Sequence, residues 1–244
     1  MDHVIYTAAS GARALMERQD GLANNLANAS TPGFRAERML FRSVPVRGEG
    51  APTRTVALEA TAAFDDRPGP VESTGRKLDV AVLGKGYLAL QTADGSEAYT
   101  RAGALQISPD GTLVSPGGLP VAGEGGPIAI PPDAAVSIAA DGTVSAKPAS
   151  GPAQTVGRIK LVNPEPAELR KGADGLLRMD SGEDAPADGA VRLSSGALEG
   201  SNVNVVEAMV GMIAAARQFE AQLKLLQNAE QNDQRASQLL APTR

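Results

Sequence analysis

The chain has 244 residues, 42% hydrophobic, and a formal charge of −5. It holds no cysteine or tryptophan and one histidine, His3, which excludes disulfides, thiolate metal sites, multi-histidine sites and a histidine-based triad. The acidic balance and an aromatic content of 3% argue against nucleic acid as a partner, so composition alone points away from an enzyme and toward an interaction or structural protein.

The N-terminal segment has helical period. Ile5, Ala8, Ala12, Leu15, Gln19, Leu22 and Leu26 alternate spacings of three and four, an a/d heptad. Asp2 can cap its first turn. The spacing predicts a helix from Asp2 to near Asn28, about 40 Å long. Thr31-Pro32-Gly33 ends it, because proline cannot continue a helix and disfavours helical backbone at the residue before it. Met1-Asp2-His3 offers neither a basic nor an apolar leader region, so no cleavable secretory signal is expected. Asn24, Asn25 and Asn28 crowd the helix end. Asparagine competes for backbone groups and is a poor helix former, so these amides either cap the helix or bond to a neighbouring subunit, and spacing does not choose.

Glycine and proline concentrate in the middle. Residues 35–200 hold 23 of 27 glycines and 15 of 17 prolines. This predicts a turn-rich β region between helical ends. Residues 44–75 are less regular and read as an extended connector. Residues 78–82 and 87–91 read as strands, joined by a tight connection at Gly84-Lys85-Gly86. Asp94-Gly95, Asp110-Gly111 and Asp141-Gly142 mark hairpins, since glycine accepts the positive φ of a tight turn. Further β-prone pieces lie at 104–107, 112–114 and 156–162. Residues 174–188 read as a surface loop.

At the C-terminal end, Val205, Met209, Met212, Ala216, Phe219, Leu223 and Leu226 repeat the heptad. Asn204 with Glu207 has the form of a capping box. One helix is expected from Val205 to Leu240. Both apolar stripes are narrower than a globular core helix needs; such a seam suits a coiled-coil-like contact within or between chains. The longest apolar stretch, 208–216, is far short of the roughly 20 residues that span a bilayer.

Sites for chemistry fail on spacing. The Asp-Gly units lack the ligand set of a calcium loop. Gly84-Lys85-Gly86 lacks the glycine spacing of a phosphate loop. Asp65-Asp66 and Glu183-Asp184 are adjacent acids, expected in solvated loops rather than as an acid/base pair. A lone His3 at a helix start reads as a surface residue. No catalytic, metal or cofactor site is expected.

Four stretches carry a resemblance: NNLANASTPGFR at 24–35, LDVAVLGKGYLALQ at 78–91, AYTRAGALQISPDGTLVSPGGLPV at 98–121 and GALEGSNVNVVE at 196–207. In this order they resemble the flagellar rod and hook (axial) protein family. Residues 1–8 and 43–48 are similar to members of the proximal rod; a distal-rod or hook-type member is the alternative within the family. A β-rich binding or adhesion module is the alternative outside it. The resemblance implies an α+β fold in which long N- and C-terminal helices pair as a coiled-coil-like inner domain flanking a mainly antiparallel β domain. The corresponding layout is 1–35 plus 201–244 for the helical core, 36–75 for the connector and 76–200 for the outer β domain. It also implies export through the flagellar type III apparatus without a cleavable signal, partners among the other rod proteins in a helical assembly, placement in the periplasm-spanning rod of the basal body, and no cofactor. Subunit-interface residues are expected at Ile5, Ala8, Ala12, Leu15, Leu22, Asn24, Asn25, Leu26 and Asn28 on the N-terminal side. On the C-terminal side they are Asn202, Asn204, Val205, Met209, Met212, Ala216, Phe219, Leu223 and Leu226.

Overall fold

A computed structural model describes residues 2–45, 55–149 and 151–240. Helix α1 spans Asp2–Ala27 and is followed by strands β1 (Glu37–Pro45), β2 (Thr55–Phe64) and β3 (Val71–Ser73). Next come β4 (Val80–Leu83), β5 (Tyr87–Gln91), β6 (Glu97–Thr100), β7 (Gln106–Ile107), β8 (Leu113–Val114), β9 (Ala122–Gly123) and β10 (Gly126–Pro127). The middle continues with β11 (Ala135–Ile138), β12 (Thr143–Lys147), β13 (Gln154–Arg158), β14 (Leu161–Val162), β15 (Leu169–Lys171) and β16 (Leu177–Met179). Strands β17 (Arg192–Ser195) and β18 (Ala197–Glu199) precede helix α2 (Val205–Leu240). The class is α+β with antiparallel pairing.

Two compact units emerge, and both are discontinuous in sequence. A helical unit holds 1–27, 37–63 and 204–244; a β body holds 28–36 and 64–203. The segment 28–36 thus packs with the β body, although in sequence it continues directly from α1. Residues 36–75, expected as a connector, instead contain β1 and β2, which pair as a two-stranded sheet, and β3, which pairs with β18. Alanine and threonine dilute the alternation in β2 (TVALEATAAF), so its period is weak.

In the β body a five-stranded sheet runs in the order β14-β5-β6-β16-β15. Central β5 is buried on both faces. Leu88 and Leu90 join an aliphatic core with Val80, Leu105, Leu113, Val121, Val144 and Ile159. Tyr87 and Ala89, on its other face, join Tyr99, Val162 and Leu177. Period-two alternation therefore feeds two cores from one strand. The three Asp-Gly turns stand where the sequence puts them: β5–β6, β7–β8 and β11–β12 are antiparallel pairs across Gly95, Gly111 and Gly142, all with positive φ. A fourth, Asp174-Gly175, joins β15 to β16. The stretch 174–188 is accordingly not a plain loop, and it buries Leu177 and Ala185.

In the helical unit α1 and α2 pack against each other. Gly11 faces the Gln222 side chain and Gly211 faces Leu22; rising numbers on α1 meet falling numbers on α2, so the pair is antiparallel. The described buried apolar residues of this unit are all alanine: Ala8, Ala12, Ala208, Ala215 and Ala229. A Cβ on Gly21 would lie 3.1 Å from Met39 Cε, so a small residue lets β1 close on α1. Among the described residues, no helix is long and apolar enough to cross a membrane.

Candidate functional site

On α1, Ala8 and Ala12 are buried, Leu15, Leu22 and Leu26 are half-buried, and Gln19 is exposed. The Ile5 and His3 side chains lie outside the described residues. On α2 the seam differs from the expected one. Met212, Phe219 and Leu226 are half-buried as one line, but the companion line is Ala208, Ala215, Gln222 and Ala229. The expected companions Val205, Met209 and Leu223 are 39%, 47% and 41% exposed, and Ala216 is half-buried. The shift is one residue. Alanine and glutamine let the two backbones approach, whereas the larger Met209 and Leu223 remain outside that contact.

A second apolar line follows on α2. Val206, Met209, Val210 and Ile213 stand at i, i+3, i+4 and i+7 and are 47–71% exposed. That spacing puts them on one face of the helix. The helix is apolar on two sides, one of which packs on α1.

The asparagines divide by role. Asn25 is buried; its Oδ1 accepts from the Glu37 amide at 2.7 Å and its Nδ2 donates to the Glu37 carbonyl at 2.9 Å. This amide imitates a strand and fixes the start of β1 against α1. Thr31 donates to Asn28 through both its amide and its hydroxyl, each at 3.1 Å, closing the turn after the helix. Asn24 is exposed. Asn204 Oδ1 accepts from the Glu207 amide at 3.2 Å, and its carbonyl accepts from Ala208, which caps α2 as the sequence predicts. Asn202 organises the β body: Oδ1 accepts from Ala36 N at 2.7 Å, and Nδ2 donates to the carbonyls of Asp65 and Arg67, both at 2.8 Å.

Beside Asn202 lies a charge cluster that spacing did not single out. Glu199, Arg35 and Arg101 are 1%, 4% and 3% exposed. Arg35 Nη1 stands 2.7 Å from Glu199 Oε1 and Arg101 Nε 2.8 Å from Oε2. Gly69 N donates to Oε1 at 2.9 Å. Arg101 Nη2 donates to the Val82 carbonyl at 3.0 Å and to that of Gly84, and its guanidinium lies 5.7 Å from the Tyr87 ring centre. Burial presses Arg101 below its usual pKa; Glu199 opposes this and the Arg35 charge adds to it. Tyr87 donates to Asp66 at 2.8 Å, and burial first, then Asp66, pushes its phenol well above the ordinary range. Asp65 is buried and paired with Arg67. Asp65 and Asp66 are therefore partnered groups of the β body, not solvated ones. Asp184 is exposed and accepts from Glu97 N at 3.2 Å. Each member of the charge cluster falls inside a stretch that carried the family resemblance, which is the sequence signal that could have found it.

This geometry is a braced β body, two antiparallel helices and an uncovered apolar helix face, the equipment of a subunit that packs against others. Three family models match the chain: "Flagella basal body rod protein" over 5–35, "Flagellar hook protein FlgE/F/G D1 domain" over 81–146 and "Flagellar basal body rod FlgEFG protein C-terminal" over 194–239. The chain belongs to the flagellar basal-body rod protein family. Within that family it is similar to the FlgF rod proteins. It is 49% identical to FlgF of Escherichia coli strain K12 and 47% identical to FlgF of Salmonella typhimurium strain LT2, in each case over 99% of both chains. It is also 34% identical to FlgG of Bacillus subtilis strain 168, over 93% of this chain and 95% of that one.

Proposed function

We propose that this chain builds the proximal segment of the flagellar rod, with α1 and α2 as a coiled-coil-like inner domain that stacks helically on other rod proteins. The protein is a structural component of the flagellar basal body and not an enzyme. Similarity to FlgF over the full length supports the proximal position. One observation carries the stacking: α2 leaves Val206, Met209, Val210 and Ile213 uncovered after pairing with α1. A heterologous contact that does not close on itself generates a helical array, and apolar burial on stacking is its driving force. Export through the flagellar type III apparatus fits a cysteine-free chain bound for an oxidising compartment. The expected apolar interface residues exposed in the single chain, Val205, Met209 and Leu223, belong to this reading, as do the exposed Asn24 and Asn204.

The test is a motile strain carrying Val206→Asp or Ile213→Asp. Both variants should be exported and keep the β-body circular dichroism, but leave rods incomplete and cells non-motile. Normal swimming by both would overturn the stacking face.

A further inference from the structure

We propose that residues 28–36 form a releasable strap on the β body and that Arg35 is the residue that keeps it releasable. The strap is docked by polar contacts at its C-terminal half, Gly33 to Ala36. Gly33 N donates to the Glu199 carbonyl at 2.7 Å, and Ala36 N to Asn202 Oδ1 at 2.7 Å. The Ala36 carbonyl accepts from Asp65 N at 2.8 Å. Lys171 Nζ lies 3.9 Å from the Phe34 ring centre and donates to the Arg35 carbonyl at 3.0 Å. Gly33 has φ +72°, and a Cβ there would sit 2.3 Å from the Ala102 nitrogen. The seat is made for this segment.

The charge is mismatched to that seat. Docking brings a second guanidinium to a single carboxylate, so the buried cluster carries one excess positive charge. Arg101 has two carbonyl acceptors of its own through Nη2, although its Nε meets Glu199 Oε2 at ion-pair distance without hydrogen-bond alignment. The Arg35 guanidinium meets Glu199 at ion-pair distance, yet none of its nitrogens has an aligned hydrogen-bond acceptor among the described residues. Burying a charge without full hydrogen bonding opposes docking. When the strap lifts, Arg35 returns to water, while Glu199 keeps Arg101 and Gly69 as a neutral set. Opening therefore strands no charge in the body. The strap continues in sequence into α1, so its release frees the root of that helix while the β cores stay closed. This inference does not depend on the stacking face.

The experiment is amide hydrogen exchange on the full-length chain at low urea. Gly33 and Ala36 report the strap; Val80 and Ala89, bonded to the carbonyls of Gly103 and Lys160, report the body. In the native chain the strap amides should exchange about 100-fold faster than the body amides, by an opening insensitive to urea. Arg35→Met, which retains bulk and removes the excess charge, should slow strap exchange about tenfold and leave the body within about twofold. Glu199→Gln leaves two guanidinium groups facing each other and should speed strap exchange. Strap and body exchanging in step in the native chain would overturn the proposal. So would strap exchange that is unchanged or faster in Arg35→Met, because Arg35 would then be an anchor.

Discussion

The helical unit and the β body bury opposite kinds of surface. The β body encloses leucine, isoleucine, valine and tyrosine, many of them wholly without solvent, and braces them with buried charges. The described fully buried apolar side chains of the helical unit are all alanine, with Asn25 buried beside them. Fully burying a Val, Leu or Ile side chain contributes about 1.5–3 kcal/mol, and each methylene absent from that comparison removes about 0.8. An alanine seam leaves little to set against roughly 1–2 kcal/mol of backbone ordering per residue. The β body has buried apolar side chains to offset that cost, whereas isolated helices draw most of their stability from what they pack on.

The largest expected effect lies in the β body. Leu88 is fully buried in the aliphatic core, and Leu88→Ala should lower stability by about 2–5 kcal/mol, read as a fall in the urea midpoint at constant slope. A loss below 1 kcal/mol would mean that this core is looser than its burial. Asn25→Ala tests the helical unit at its strongest polar point. It removes both bonds to the Glu37 backbone and leaves that donor and acceptor unanswered, at a cost of about 1–3 kcal/mol. Helical circular dichroism should respond while β-body exchange does not. If the body loosens equally, the two units are not separable.

Acid should act on the β body through its carboxylates. Asp79 is buried, which by itself raises its pKa, but hydrogen bonds from Arg76 and Thr74 outweigh burial and hold it below the ordinary 3.8. Asp174, bonded by Arg178, is also lowered. A folded-state pKa below the unfolded one gives stability that is complete above about pH 4 and lost as pH falls through the folded value. The unfolding midpoint should therefore hold steady down to that pH and decline below it. In Asp79→Asn the decline should be shallower, as measured by thermal melts across the series; an equal slope would remove Asp79 from the account.

How much of this was legible follows the range of the interaction. The helix ends and Asp-Gly hairpins were readable because breakers, caps and positive-φ glycines act over a few residues. Within the single chain the line of α2 that packs on α1 lies one residue from the sequence heptad, because Ala208, Ala215 and Gln222 do not look like core, while Met209 and Leu223 do. Size argues for burial only when the partner leaves room, and here Gly11 and Gly211 bring the helices close. Arg35, Arg101 and Glu199 come from distant stretches, and no local period marks a charge that the tertiary fold will bury. The same blindness put Asp65 and Asp66 in solvent.

The smallest expected effect on stability sharpens that seam. Leu22 and Leu223 both belong to the sequence heptads, yet Leu22 is half-buried against Gly211 and Leu223 is 41% exposed. Leu22→Asp forces a carboxylate toward the alanine seam and should cost about 1–3 kcal/mol of helical-unit stability in the isolated chain. Leu223→Asp meets water and should change it by no more than about 0.5 kcal/mol, the ordinary range for a surface site. Motility separates what stability does not. If Leu223 is covered by a neighbour in the rod, Leu223→Asp should abolish swimming despite its near-silence in the purified protein. Equal destabilisation by the two variants would restore the sequence-derived seam. A silent Leu223→Asp that also swims normally would leave that side of α2 facing solvent in the rod, and confine the stacking surface to the line from Val206 to Ile213.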